Sequence, residues 1–136
     1  MITRINHIAI VVADLDEAIR SYEEGIGLTV RKRLTMPEQA VEIAFLPAGE
    51  SMIELIQPIT PDSGVAKYLA KRGEGLHHIC LEVEDVEHTL ETLAARDLQL
   101  INQAPIRAAE GRGIFLHPSA AHGVLIEFLE PYAEEA

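Results

Sequence analysis

Two histidines and two glutamates stand at equivalent places in the two halves of the sequence. His7 and His78, 71 residues apart, each open an apolar strand pattern; Glu54 and Glu127 lie in later apolar strand patterns, 47 and 49 residues after those histidines. A carboxylate in an apolar strand costs free energy unless it is paired or binds a metal. Each residue alone would more often be a surface or hydrogen-bonded core residue, but their equivalence favours one shared site. Two imidazoles and two carboxylates suit Mn²⁺, Co²⁺, Ni²⁺, Fe²⁺ or Zn²⁺.

Glu42 is a fifth candidate, and it breaks the repeat. It lies in the strand pattern of residues 40–46, and folding the following hairpin about Ala48 would place it roughly opposite Glu54. When the two Phe-Leu pairs of the halves are matched, Arg112 takes its place. An acid beside a repeated set of ligands is a candidate general base, and a solvent-facing strand glutamate is the alternative.

The elements that must position these residues are repeated as well. Residues 5–15 fall on residues 76–86, and in both copies a strand pattern leads to an aspartate, Asp14 or Asp85, that is a natural helix N-cap. A helical pattern and further strand patterns follow, so each half predicts a β-α-β-β-β module. Alternate residues of a strand share a face. The apolar residues that alternate with each histidine are therefore predicted to pack against the helix, and the histidine lies on the other face.

The halves are predicted to form one α+β domain over residues 1–136. The first module spans about 4–58, a linker containing a short helix capped by Asp62 spans about 59–75, and the second module spans about 76–131. Seventy residues are marginal for an independent core, so we expect the two modules to complete each other. Glu134 and Glu135 are expected to form a solvated acidic end.

Composition excludes several other classes. Of the 136 residues 48% are hydrophobic and 24% charged, which is typical of a globular protein. No apolar run is long enough for a membrane helix or a signal peptide, so a soluble cytoplasmic protein is expected. The single cysteine, Cys80, excludes an internal disulfide framework and a zinc ribbon. A net charge of −11 disfavours binding to duplex nucleic acid.

The two modules with His7, Glu54, His78 and Glu127 resemble the vicinal-oxygen-chelate (glyoxalase/bleomycin resistance) superfamily, in which a curved sheet surrounds a metal site. More closely, the chain is similar over nearly its whole length to the methylmalonyl-CoA epimerase family. The segments that carry this resemblance are residues 5–10, 37–39 with Glu42, 65–69, 73–79, 115–118 and 123–127.

The resemblance implies a metal-dependent epimerase. His7, Glu54, His78 and Glu127 would be the metal ligands, with Co²⁺ the expected ion and Mn²⁺, Ni²⁺ or Zn²⁺ the alternatives. Glu42 and Glu127 would move the protons that interconvert (2R)- and (2S)-methylmalonyl-CoA through a metal-stabilised enolate, in propionate metabolism. The substrate would be a CoA thioester, and the assembly a homodimer.

Other functions stay open at this stage. Glu54 stands where some epimerases have glutamine and matches the glyoxalase pattern, so a glyoxalase I-type lactoylglutathione lyase is the first alternative. An extradiol dioxygenase and a metal-free binding module are further alternatives.

A polyanionic CoA ester requires cationic contacts for its phosphates. Ser119 stands where the family often has a lysine, so one possible phosphate contact is missing. The candidate phosphate contacts are Arg31, Lys32, Arg33, Lys67, Lys71, Arg72 and Arg107.

Overall fold

In the computed structural model the chain forms two compact units, and residues 1–133 are described. The first, called the His7 unit, is His7–His77; the second, called the His78 unit, comprises Met1–Asn6 and the chain from His78 onward. The predicted acidic end at Glu134 and Glu135 lies outside the described residues. None of the helices in residues 1–133 has the length and apolar character needed to cross a membrane.

The His7 unit contains a four-stranded sheet of order β2-β3-β4-β1. Strands β2, β3 and β4 are antiparallel neighbours, whereas β1 runs parallel to β4. The elements are β1 (Ile2–Val11, of which the part from His7 belongs here), α1 (Leu15–Arg20), a π-helical turn (Ser21–Ile26), β2 (Lys32–Met36), β3 (Val41–Ala48), β4 (Ser51–Pro58) and α2 (Gly64–Arg72).

The His78 unit repeats this arrangement with the order β5-β8-β7-β6. Strand β5 is parallel to β8, and β8, β7 and β6 are antiparallel neighbours. The elements are β5 (Gly75–Val83, of which the part from His78 belongs here), α3 (Val86–Ala95), β6 (Ile106–Arg107), β7 (Gly111–Leu116) and β8 (Ile126–Pro131). The predicted β-α-β-β-β order is therefore confirmed in both halves.

Aspartates begin the helices that follow β1 and β5, as predicted. The Asp14 carboxylate accepts a hydrogen bond from the Glu17 amide (3.1 Å), and the Asp85 carboxylate accepts one from the His88 amide (3.0 Å). These bonds satisfy amides that would otherwise lack a partner in the first helical turn. The predicted cap of α2 is wrong by one residue, because Ser63 rather than Asp62 accepts from the Ala66 amide.

Each helix covers one face of its own sheet. In the His7 unit, Leu15 of α1 is fully buried among Val12, Ala44, Leu46 and Leu55. In the His78 unit, Val86 and Leu93 of α3 pack with Val83, Ile114, Leu116 and Phe128. The predicted alternation is confirmed at Ile10 and Val12 in the first half and at Leu81 and Val83 in the second, because these residues belong to the two clusters. The opposite face of each sheet carries the histidine.

We predict that removing the Asp85 cap destabilises the protein measurably. The substitution Asp85→Ala should lower the free energy of unfolding by about 1 kcal/mol, because the His88 amide loses its acceptor. Asp85→Ser, which keeps an acceptor oxygen, is the matched control and should lose clearly less. Urea unfolding followed by circular dichroism measures both. Equal decreases in the free energy of unfolding of the two variants would contradict a contribution from the hydrogen bond to the His88 amide.

Candidate functional site

His7 and Glu54 form a buried pair on the sheet face opposite α1. Their exposed fractions are 4% and 7%, and His7 Nε2 lies 3.6 Å from Glu54 Oε1. Glu54 of β4 stands between two register partners, Ala9 on β1 and Phe45 on β3. The Phe45 ring meets the His7 ring edge to face, with centroids 6.0 Å apart. The neighbouring strands therefore hold an imidazole and a carboxylate together, away from water.

His78 and Glu127 form the same arrangement in the His78 unit. Their exposed fractions are 7% and 3%, and His78 Nε2 lies 3.2 Å from Glu127 Oε1. Glu127 of β8 has Cys80 and Phe115 as register partners, and the Phe115 ring meets the His78 ring edge to face at 5.5 Å. The predicted equivalence of the two pairs thus extends to strand register and aromatic contact.

The donor chemistry of the two pairs fits a divalent metal ion. Each unit supplies one imidazole nitrogen and one carboxylate oxygen, a combination that Mn²⁺, Co²⁺, Ni²⁺ and Zn²⁺ accept. Burial of a carboxylate in an apolar environment costs free energy that pairing or metal binding offsets. These buried His/Glu groups could therefore bind a metal.

The predicted pairing of Glu42 with Glu54 is wrong. Gly49, with a φ of +66°, and Glu50 form the turn of the hairpin, so Ala48 pairs with Ser51 instead of lying at the bend. Phe45 consequently faces Glu54, and Glu42 faces Gln57. The register differs from the predicted one by three residues, and an odd shift moves a side chain to the other face of the sheet. Glu42 shares its face with the residues that pack against α1.

Ion pairs on that face hold Glu42. Arg33 of β2 approaches Glu42 Oε1 with Nε (2.9 Å) and Nη2 (2.8 Å), and its Nη1 donates to Asp16 of α1 (2.6 Å). The hydrogen bonds to Asp16 and Glu42 raise the pKa of Arg33 above its usual value.

The His78 unit has a counterpart of this ion-pair triad. Arg112, at the place equivalent to Glu42, contacts Glu87 of α3 (2.7 Å) and Glu130 of β8 (3.5 Å). In both units a triad of charges joins the helix to the sheet. This geometry favours a structural role for Glu42, and its action as a base stays a prediction.

Two further residues near Glu127 were missed at the sequence level. The Gly113 backbone lies directly against the Glu127 carboxylate, and a glycine inside a strand pattern is a signal for such a close approach. Strand β6 has only two residues and does not reach Phe115 of β7. Asn102 supplies the missing hydrogen-bond acceptor there, because its Oδ1 accepts from the Phe115 amide at 2.7 Å. No local pattern points to Asn102, since its partner is distant in sequence.

The predicted cation run 31–33 divides between the two faces of the His7 sheet. Arg33 lies on the α1 face, as its contact with Asp16 requires. Lys32 is exposed and pairs with Phe45, which in turn pairs with Glu54. Directly paired strand residues share a face, so Lys32 lies on the face that carries His7 and Glu54.

A family model for the glyoxalase/bleomycin resistance protein/dioxygenase superfamily matches residues 6–116. The chain belongs to this superfamily, and the predicted α+β fold class is confirmed with it.

Relatives within this superfamily are named as epimerases. The ethylmalonyl-CoA/methylmalonyl-CoA epimerase of Cereibacter sphaeroides is 35% identical over 130 residues, covering 93% of this chain and 97% of that protein. The human mitochondrial methylmalonyl-CoA epimerase is 35% identical over 91% of this chain and 72% of its own length. A structure of a Streptomyces coelicolor methylmalonyl-CoA epimerase variant in complex with 2-nitronate-propionyl-CoA is 36% identical, with a TM-score of 0.94 over 100% of this chain and 99% of that one.

We predict measurable coupling between Arg33 and Glu42 in stability. A double-mutant cycle with Arg33→Ala, Glu42→Ala and the double variant should give a coupling free energy of about 0.5 to 1 kcal/mol, the upper range for partly exposed ion pairs. The coupling should shrink as salt is added, because the pair is open to solvent. Urea unfolding at low and high ionic strength measures it, and zero coupling at low salt would contradict the structural role of Glu42.

Proposed function

We propose, from the membership of the chain in this superfamily, that it interconverts the (2R) and (2S) epimers of methylmalonyl-CoA. The relatives from Cereibacter sphaeroides and human mitochondria support this substrate by their names. The CoA thioester analogue in the Streptomyces coelicolor structure supports a CoA thioester ligand. The observation that carries the proposal is the buried His/Glu pair in each unit, His7 with Glu54 and His78 with Glu127.

We propose that the two pairs together ligate one divalent metal ion, for which Co²⁺ is our choice. All four side chains are buried, and two carboxylates set in apolar sheets gain most from a cation. Two imidazoles and two carboxylates leave coordination positions open for substrate oxygens on an octahedral ion. When bound, the ion would act as a Lewis acid toward the thioester oxygen.

The reaction needs a carboxylate that removes the proton from carbon 2 of the substrate. As the C–H bond breaks, the carboxylate takes the proton and the electron pair delocalises onto the thioester oxygen. A water molecule on the opposite face of carbon 2 then supplies the proton that restores the C–H bond, and the carboxylate releases its own proton to solvent. The substrate must be shielded from water while the charge develops, and the buried, aromatic-lined surroundings of both His/Glu pairs suit this.

We propose Glu127 as the group that moves protons. It is buried at 3% exposure and shares its sheet face with His78, so a substrate bound at the histidines would meet it. In the sequence-based hypothesis Glu42 is the free base and Glu127 the second base. Its position on the α1 face, in contact with Arg33, supports a role in attaching the helix instead.

We predict that the two glutamates differ sharply in an isotope-exchange assay. Co²⁺-loaded wild-type protein should exchange the carbon-2 proton of methylmalonyl-CoA in D₂O, as followed by NMR. Glu127→Gln should lose about 100-fold or more in rate, in line with the usual contribution of a general base. Glu42→Gln should stay within about 3-fold of wild type, which corresponds to about 0.65 kcal/mol in barrier height.

Loss of exchange in folded, metal-bound Glu42→Gln would return Glu42 to the mechanism. Absence of exchange in loaded wild-type protein would contradict the substrate assignment. The hemithioacetal of methylglyoxal and glutathione is the control compound, and its conversion in place of exchange would favour the lyase.

We propose Lys32 as a contact for the phosphates of the CoA ester. It lies on the sheet face of His7 and Glu54, and the residue is exposed on strand β2 at the edge of the sheet. Lys32→Gln should raise KM for methylmalonyl-CoA by about 10-fold, because a hydrogen bond to a charged group contributes about 1.5 kcal/mol. The phosphate-free N-acetylcysteamine thioester should show no such rise. Arg20→Gln, at the exposed end of α1 on the other side of the sheet, is the matched control and should leave KM unchanged. An equal effect of Lys32→Gln on both thioesters would contradict the contact.

The homodimer, the cytoplasmic location and the place in propionate metabolism stay predictions.

A further inference from the structure

The backbone of Gly113 lies directly against the Glu127 carboxylate. A Cβ at this position would stand 2.6 Å from Glu127 Oε2 and 3.4 Å from its Cγ and Cδ. Real Cβ atoms do not approach a neighbour to 2.6 Å, so any side chain at residue 113 would displace the carboxylate. Gly113 is not among the residues with positive φ, so its backbone conformation does not itself require glycine.

Comparison of the two halves shows that only Glu127, and not Glu54, has a glycine at this neighbouring strand position. Phe115 pairs with Glu127 as Phe45 pairs with Glu54, and two residues before each phenylalanine stand Gly113 and Ile43. Ile43 is buried and shares its sheet face with Phe45 and Glu54, so the His7 unit has a branched side chain where the His78 unit has none. The surroundings of the two glutamates are therefore unequal, although their histidine and phenylalanine contacts match.

The two oxygens of Glu127 have separate surroundings as a result. Oε1 lies 3.2 Å from Nε2 of His78, which is a proposed metal ligand. Oε2 lies against the Gly113 backbone. The carboxylate can take this orientation only because residue 113 has no side chain. An alanine there would force the side chain of Glu127 to rotate or withdraw, and Oε1 would leave its place beside His78.

We infer that Gly113 is a positioning residue that sets the orientation of the Glu127 carboxylate. The consequence for metal binding and proton transfer rests on the proposed function, since Glu127 is the proposed ligand and base. The steric contact itself does not, and it can be measured without metal.

Metal binding tests the consequence of the contact. Gly113→Ala should weaken Co²⁺ binding in calorimetry by about 10-fold, the size usual for groups that orient a ligand, and it should alter the visible absorption of the Co²⁺ complex. Gly64→Ala is the matched control, because a Cβ at Gly64 meets nothing within 4 Å. Wild-type affinity and an unchanged spectrum in Gly113→Ala would overturn the inference.

Thermal unfolding of metal-free protein tests the contact independently. Gly113→Ala should lower Tm in the wild-type background and lower it less in the Glu127→Ala background, where the obstructing carboxylate is gone. Equal decreases in both backgrounds would overturn the inference. If wild-type protein bound no Co²⁺ while this coupling persisted, the proposed function would fail and the positioning by Gly113 would stand. Should Gly113→Ala alone fail to fold, recovery of folding in the double variant would confirm the contact.

Discussion

Each half of the molecule depends on offsetting the cost of a carboxylate buried in an apolar sheet. Glu54 and Glu127 sit in β4 and β8 among apolar neighbours, and each has an imidazole within 3.6 Å. An unpartnered buried carboxylate would destabilise the fold or become protonated, so the imidazole must be fixed in place. Parallel pairing of the histidine strand with the glutamate strand provides this, and the edge of a phenylalanine ring limits the imidazole further.

Strand alternation then separates the residues proposed to act on a substrate from the residues that attach the helices to the sheets. Charges on the helix side form the ion-pair triads Asp16–Arg33–Glu42 and Glu87–Arg112–Glu130, which attach α1 and α3. On the other side of the His7 sheet, Lys32 shares its face with His7 and Glu54. Adjacent residues such as Lys32 and Arg33 therefore lie on opposite faces of the sheet and have different surroundings.

The sequence predicts most of the fold because its signals are local and repeated. The strand alternation around His7 and His78, the caps at Asp14 and Asp85 and the order of the elements all appear as predicted. The role of Glu42 is harder, because its face depends on whether the hairpin bends at Ala48 or at Gly49 and Glu50, and local composition allows both. The Gly113 contact depends on the side-chain conformation of Glu127 in the neighbouring strand β8, and sequence periodicity does not encode that conformation.

The two equivalent His/Glu pairs are proposed to serve one metal ion, and a Co²⁺ titration of metal-free protein tests this most directly. Visible absorption should saturate at one equivalent per chain, and either His7→Ala or His78→Ala should abolish tight binding. Saturation at two equivalents, with each substitution removing only one, would show two separate half-sites and contradict the account, as would the absence of any Co²⁺ complex.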